Sequence, residues 1–475
     1  MVQVPPLANA PLGSRDGAKI PGTCRRSVLQ RLRWNPWEKS PLDRVSAVAA
    51  RSRSRKLLEG DPRRGRQGLG RCVWHSGKPD KTCLGGEFVF FRGMHGPRVA
   101  FWVWMVALAA GRAAVWDWWV FWGTYTKGES RGIYVSRFDG IRGRLTPPQL
   151  CAELPHPSFL TLVRDGRFLY AVSEVADGRG SGGRVAGFAV DDRAGSLRPL
   201  GQRSSGGDGP CHLSTDARGR WLFVANYGSG SVAVLPLDRQ GRPENPRQVI
   251  RHTGSGVHPE RQRGPHAHQS LPSPEGRHVL VCDLGLDQVR VYRWRMWRGV
   301  LEDEPVSVLT TVPGSGPRHL AFHPNGRYTY VVNELDSTVT ACRWDGRSGR
   351  LDPVQTLSTL PPEADASRNT TAEVTVHPSG RWVYVSNRGH DSIAMYRVDP
   401  ESGRIRLLGH EGTRGRTPRH FALDPDGRWC LVAHQDSDTV VVFRVDARTG
   451  RLLYTGHSIR IPSPVCAVFA KVNNR

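Results

Sequence analysis

From residue 156 onward the chain repeats one pattern six times at intervals near fifty residues, and no other feature limits the fold so tightly. The segments "VRDGRFLYAVSE", "DARGRWLFVANY", "SPEGRHVLVCDL", "HPNGRYTYVVNE", "HPSGRWVYVSNR" and "DPDGRWCLVAHQ" carry turn glycines at Gly166, Gly219, Gly276, Gly326, Gly380 and Gly427. Their spacings are 53, 57, 50, 54 and 47 residues. Each unit holds an apolar stretch, the turn, and a strand opened by Gly-Arg in all six copies. A third, alternating strand follows, as in "SVAVLPLD", "TVTACRWD", "SIAMYRVD" and "TVVVFRVD", then a "GRL"-type turn and a less regular fourth strand. Four short antiparallel strands at this period are the signature of a β-propeller blade, a unit that buries its faces only by stacking on neighbours.

Six full units leave a fragment at each end. "GTYTKGESRGIYVSRFDGIRGRL" (123–145) has the second and third strands of a blade without the first, and "SPVCAVFA" (463–470) has a first strand without successors. Joined, they complete a seventh blade. The predicted fold class is therefore all-β: a seven-bladed β-propeller over residues 116–475, closed by pairing of N- and C-terminal strands.

The 53 glycines and 35 prolines suit such a fold, because they punctuate short elements. Residues 1–115 are another kind of sequence, as in "RSRSRKLLEGDPRRGRQGLG", with no sustained period of two or 3.6. Such composition buries too little apolar surface to offset ordering entropy, so a largely disordered, basic extension is expected there. Of the net charge of +24, the first hundred residues hold +13 (20 Lys+Arg against 7 Asp+Glu). Arginine supplies 60 of the 67 basic residues. That bias can reflect a GC-rich coding sequence, so it is not read as nucleic-acid binding, though it suits an anionic small substrate. "VAFWVWMVALAAGRAAVWDWWVFWG" (99–123) has the length of a membrane span, but Arg112 and Asp117 interrupt it. Each is costly in hydrocarbon, so "WWVFWGTYT" is read as a strand and a membrane anchor at 99–122 is set aside. Nine cysteines without a CxxC pair indicate neither a disulfide framework nor a thiolate zinc site, and fit a reducing, cytoplasmic location.

In a blade the innermost strand leaves one face of the ring, turns, and the second strand returns. Residues equidistant from the turn then lie side by side at that face, near the central channel. Counting eight residues either way from Gly326 pairs Arg318 with Glu334. The same count pairs Ser158 with Glu174, Cys211-His212 with Asn226-Tyr227, and His268 with Asp283-Leu284. It also pairs Ala372-Glu373 with Arg388, and Arg419-His420 with Gln435. Polar residues at strand ends often only cap backbone groups, which fits Ser158, Cys211, Ala372 and Gln435; His323 and His377 fall at the opposite turn and read as structural. Arg318, Glu334, His268 and Arg388 differ in type from blade to blade, so the repeat does not explain them. They are the candidate catalytic residues, and His212, Asn226, Tyr227, His266, Glu373 and Arg419 the candidate substrate-binding residues. The competing reading is that Arg318 merely neutralises Glu334.

With these motifs in hand, the chain resembles the lactonase family of seven-bladed propellers, which includes bacterial propeller-type 6-phosphogluconolactonases and fungal carboxymuconate cyclases. The matching stretches are "GTYT" (123–126), "HPSFL" (156–160), "VANYGSGSVAVLPL" (224–237), "GPHAHQ" (264–269) and "DLGLDQV" (283–289). Others are "GPRHLAFHPNG" (316–326), "NELDSTV" (333–339), "VYVSNRGHDSI" (383–393) and "PRHFALDPDG" (418–427). The likeness covers some 355 residues and none of the first 115. It implies an active centre of His268, Arg318, Glu334 and Arg388, the four that the turn count selects, with His266 of "PHAH" as a rival to His268.

The activity implied is hydrolysis of a sugar lactone, above all 6-phospho-D-glucono-1,5-lactone in the oxidative pentose phosphate route. Opening a δ-lactone needs a positioned water, a base and positive charge for the oxyanion. Glu334 or His268 could take the water's proton, and a histidine near its ordinary pKa is the better base than a glutamate held by arginine. Arg318 and Arg388 could hold a phosphate or carboxylate, or face the oxyanion. The sequence calls for no cofactor and no metal, and it has no Gly-x-Ser-x-Gly elbow. Two alternatives stand beside this one: an enzyme for another lactone or a carboxymuconate-like acid, and a non-catalytic propeller that binds a ligand or protein. Oligomeric state leaves no signal.

Overall fold

The computed structural model describes residues 117–473, which form seven antiparallel sheets. The disordered extension expected over 1–115, and the part of the apolar stretch before Asp117, lie outside the described residues. Blade 1 joins the two ends. Pro464–Lys471 pairs with Trp118–Thr124, which pairs with Gly132–Asp139, and Gln149–Glu153 and Arg144–Leu145 lie outermost. The closing register runs from Trp118 opposite Lys471 to Thr124 opposite Pro464. "WWVFWGTYT" is thus a strand, and the ring is stapled as its two sequence fragments imply.

Blades 2 to 7 follow in chain order. Their innermost strands are Leu160–Val163, Pro210–Thr215, Ala267–Pro272, Pro317–Phe322, Thr370–Val376 and Pro418–Leu423. The second strands are Phe168–Ser173, Trp221–Asn226, His278–Asp283, Tyr328–Asn333, Trp382–Arg388 and Trp429–His434. These second strands are mostly apolar and almost entirely buried, because a sheet packed between two others is covered on both faces. Each of the seven apolar clusters joins two adjacent blades. Phe121 and Ile133 of blade 1 meet Leu169 and Phe188 of blade 2, while Val120 and Trp122 meet Leu431 and Val442 of blade 7.

The "GRL"-type turn has a cause in this stacking. Its glycine in each blade lies against the ring that opens the second strand of the preceding blade: Gly195 on Trp119, Gly241 on Phe168, Gly299 on Trp221, Gly403 on Tyr328, Gly450 on Trp382. Gly143 of blade 1 closes the circle on Trp429 of blade 7, and Gly349 meets the imidazole of His278 instead of a Trp, Tyr or Phe ring. A Cβ at any of these positions would overlap the ring. His323 and His377 are structural, as their place at the opposite turn implied. Their Nε2 atoms sit 2.8 Å from the carbonyls of Gly380 and Gly427, the turn glycines of the next blades.

Candidate active site

The candidate site lies where innermost strands begin, and a repeated bulge shapes it. In blade 5, Pro317 pairs with Asn333 but His319 pairs with Val332, so Arg318 is an extra residue opposite none. The same slip falls at Cys211, His268 and Arg419, and between Thr371 and Val374 in blade 6. A bulge interrupts the alternation of side chains, so two successive residues can face one region. Arg318 and Glu334 are therefore not register partners, as the symmetric count would have them. They meet because the bulge re-aims Arg318, while the Glu334 N–H donates to the Gly316 carbonyl at 2.7 Å.

Glu334 is the hub. Its Oε2 lies 2.9 Å from Arg318 Nε and 3.0 Å from Arg388 Nη2, and its Oε1 accepts from Arg261 Nη2 at 2.6 Å. Burial alone would raise this carboxyl, but Arg388, Arg261 and Arg318 outweigh it and hold Glu334 well below the usual carboxylate range. Arg318 and Arg388 are fixed again at the far side, donating to the carbonyls of Ala372 (2.6 Å) and Thr371 (2.7 Å). Burial lowers both guanidinium groups, Arg388 to about 10, so Arg388 is still charged at neutral pH.

Rings fill the space beside this cluster. His268 makes edge contacts with Tyr227 and His319, at centroid separations of 5.6 and 5.1 Å. Its Nδ1 is buried and has no hydrogen-bond partner among the described residues. Burial, then Arg318 and His319, push its pKa well below that of a free histidine, so the ring is neutral at pH 7. This corrects the expectation of an ordinary pKa: His268 can accept a proton but is a weaker base than solvent-exposed imidazole. The His212 ring packs tilted against Phe159, 4.2 Å between centroids, and burial pushes its pKa down in the same way. Glu373 lies 3.1 Å from His319 Nδ1 and 3.6 Å from His420 Nε2, and burial raises its carboxyl. On the opposite side Arg419 Nη2 donates to Tyr125 Oη (2.8 Å), which donates to Glu174 (3.0 Å). Four guanidinium groups face three carboxylates, so the site is net positive even with all three ionised.

The structure thus brings Arg318, Glu334, Arg388, His268, His212, Tyr227, Glu373 and Arg419 to one region. Two expected substrate contacts are used elsewhere. The Asn226 amide donates to Ser205 O and Ser231 Oγ in its own neighbourhood, as Asn333 and Asn387 donate to Thr338 and Ser392 at the same place in their blades. His266 lies flat on Tyr227, 4.3 Å between centroids, with Nδ1 2.9 Å from the Tyr227 carbonyl. The turn count missed Arg261, which sits on a loop between blades, and Tyr125 of blade 1. It stepped over His319 because of the bulge, although the tripeptides "PCH" (210–212) and "PRH" (317–319, 418–420) were a visible signal. Among the described residues no group of three or more His, Cys, Asp or Glu is placed to hold a metal ion.

Comparison with known proteins agrees with this architecture. The family model described as "Lactonase, 7-bladed beta-propeller" matches residues 119–469. A protein of Bacillus subtilis (strain 168) named 6-phosphogluconolactonase is 37% identical over 348 residues, 73% of this chain and 97% of its own length. One of the same name from Formosa agariphila is 34% identical over 311 residues, 64% and 86% of the two chains. The solved structure of a Pseudomonas aeruginosa periplasmic gluconolactonase superposes with a TM-score of 0.70 at 36% identity, covering 75% of this chain and all of that one. The chain belongs to the lactonase family of seven-bladed β-propellers.

Proposed function

We propose that the protein hydrolyses 6-phospho-D-glucono-1,5-lactone to 6-phosphogluconate in the cytoplasm. The observation that carries this reading is a carboxylate clamped by three arginines beside a buried, neutral histidine, in a region of surplus positive charge. The relatives named 6-phosphogluconolactonase support it. A phosphorylated sugar does not diffuse across a membrane, which is why the reading goes with a cytoplasmic enzyme. No helix among the described residues is long and apolar enough to cross a membrane.

In this mechanism a water beside His268 attacks the lactone carbonyl carbon, and His268 takes its proton. The carbonyl oxygen becomes an oxyanion facing the guanidinium of Arg318 or Arg388. These groups are held in advance by Glu334 and by backbone carbonyls, so no reorganisation is needed as the charge forms. The bond from carbonyl carbon to ring oxygen then breaks, and the ring oxygen takes the proton from His268. Glu334, held far below neutral pH, orients the arginines and is a poor base.

A second reading, hydrolysis of unphosphorylated glucono-1,5-lactone, is favoured by the likeness to the Pseudomonas aeruginosa periplasmic gluconolactonase. The test is hydrolysis of freshly generated 6-phosphogluconolactone by the full-length protein, beside Arg318→Ala and His268→Gln. Acceleration over the spontaneous rate that both changes remove, with the fold intact, is the expected result. A folded wild type that does not accelerate the reaction would dismiss this substrate.

A further inference from the structure

We infer that Arg261, on the loop between blades 3 and 4, binds the anionic group of the substrate and sets the selectivity for a phosphorylated over a neutral lactone; this rests on the lactonase reading above. Recognition of a phosphate needs a guanidinium with uncommitted donors that faces solvent. Arg318 does not meet this condition: it is 3% exposed, ion-paired to Glu334 and bonded to Ala372 O. Arg388 is similarly tied to Glu334 and Thr371 O. Arg419 donates to Tyr125 Oη, and its guanidinium lies over the Tyr125 ring at 5.2 Å.

Arg261 differs in exposure, since the side chains of Arg318 and Arg388 are only 3% and 13% accessible. One nitrogen, Nη2, makes both of its side-chain contacts, to Glu334 at 2.6 Å and Tyr227 Oη at 3.3 Å. Its Nε and Nη1 have no partner among the described residues, and its side chain is 36% exposed. The guanidinium is anchored through Nη2, which leaves Nε and Nη1, on different sides of the group, to donate singly to an anion.

The loop is braced, so the residue is held rather than mobile. At its start, His252 lies fully buried between Asp283 (2.6 Å) and Tyr292 Oη (3.0 Å). Next to Arg261, buried Gln262 accepts from His258 N and donates to Leu284 O (2.8 Å) and Asp287 Oδ1 (2.7 Å). Asp287 in turn accepts from Gly314 N and Gly316 N, the segment that leads into Arg318. A short chain of bonds therefore fixes Arg261 relative to Arg318, and binding an anion there needs little further ordering.

The experiment compares kcat/KM for 6-phosphogluconolactone and for unphosphorylated glucono-1,5-lactone in the full-length wild type, Arg261→Gln and Arg261→Lys. Whatever the absolute rates, the ratio of the two should fall roughly 10- to 100-fold in Arg261→Gln, the size of one or two charge-assisted hydrogen bonds, through a raised KM for the phosphorylated lactone. Arg261→Lys keeps the charge without the spread guanidinium donors and should recover part of the ratio. Equal losses on both lactones, or an unchanged ratio, would overturn the inference, since Arg261 would then serve only Glu334. A wild type that accelerates neither lactone would instead remove the lactonase reading. Calorimetric binding of 6-phosphogluconate then decides about Arg261: binding lost in Arg261→Gln upholds the anion site, and no binding or equal binding overturns it.

Discussion

Replacing Glu334 by glutamine keeps the shape of the side chain and removes the one negative charge among Arg318, Arg388 and Arg261. Glu334 and Arg318 are almost fully buried, with 5% and 3% of their side chains exposed. Breaking a buried ion pair from one side costs about 3–5 kcal/mol, because a charge is left without compensation. Unfolding entropy of about 2.1 cal/mol/K per residue, over roughly 360 residues, is about 0.75 kcal/mol/K, so the expected fall in Tm is about 4–7 °C. The pH dependence follows from the depressed carboxyl. A folded pKa below the unfolded value of about 4.3 adds stability that is fully present above that value and is lost as pH falls through the folded one. Scanning calorimetry should therefore show a constant gap between wild type and variant from about pH 8 to about pH 5, narrowing in more acid solution. The three guanidinium groups left behind should also take up an anion. Inorganic phosphate at ten times a Kd of about 1 mM adds about 1.4 kcal/mol, so phosphate should raise the Tm of the variant by about 2 °C more than it would without that site. A gap below about 1 °C at neutral pH, or one that does not close on acidification, would refute the idea that Glu334 holds the arginines together.

His268→Gln should lower kcat by roughly 100- to 10,000-fold with the fold retained. Because His268 is pushed well below an ordinary histidine, wild-type kcat/KM should be level from pH 8 to about 6.5 and fall only as pH drops through the depressed value; an acid limb centred at about 6.5 or higher would remove His268 as the proton acceptor. Tyr125→Phe deletes the hydroxyl between Arg419 and Glu174 and leaves both short of a buried partner, which should cost about 1–3 kcal/mol and show as a Tm lower by about 1–4 °C in thermal melts. Ending the chain at Ile461 removes Pro464–Lys471 and bares the edge of Trp118–Thr124, so the truncated protein should lose its cooperative transition or aggregate; a soluble, cooperatively melting product would contradict the closure.

The blades were legible because each is built from local signals. Gly166 to Gly427 mark the turns, the second strands are mostly apolar, and two end fragments can complete only one another. The seven-fold count needed nothing beyond those positions. The pair Arg318 and Glu334 was legible too, since sixteen residues of one hairpin separate them. Arg261 was not, because it stands 73 positions before Glu334 in the chain and the loop that carries it has no repeat to be compared with. Nor could spacing give the neutral state of His268, which depends on burial and on charges from another blade.

The symmetric count found the right residues for an incomplete reason, and the bulge supplies the rest. Without it, alternation would send Arg318 and His319 to opposite sides of the strand. With it, both reach the site and make different connections. Arg318 bonds Glu334 of its own blade and Ala372 O of the next, while His319 reaches Glu373 of the next and the rings of His212 and His268 from the two before. Arg419 and His420 do the same in blade 7, one toward Tyr125 of blade 1 and the other back to Glu373 of blade 6. In blades 5 and 7 a single inserted residue thus ties the blade's contribution to its neighbours. That is how a fold assembled from near-identical units holds an asymmetric set of arginine, glutamate and histidine in fixed relation.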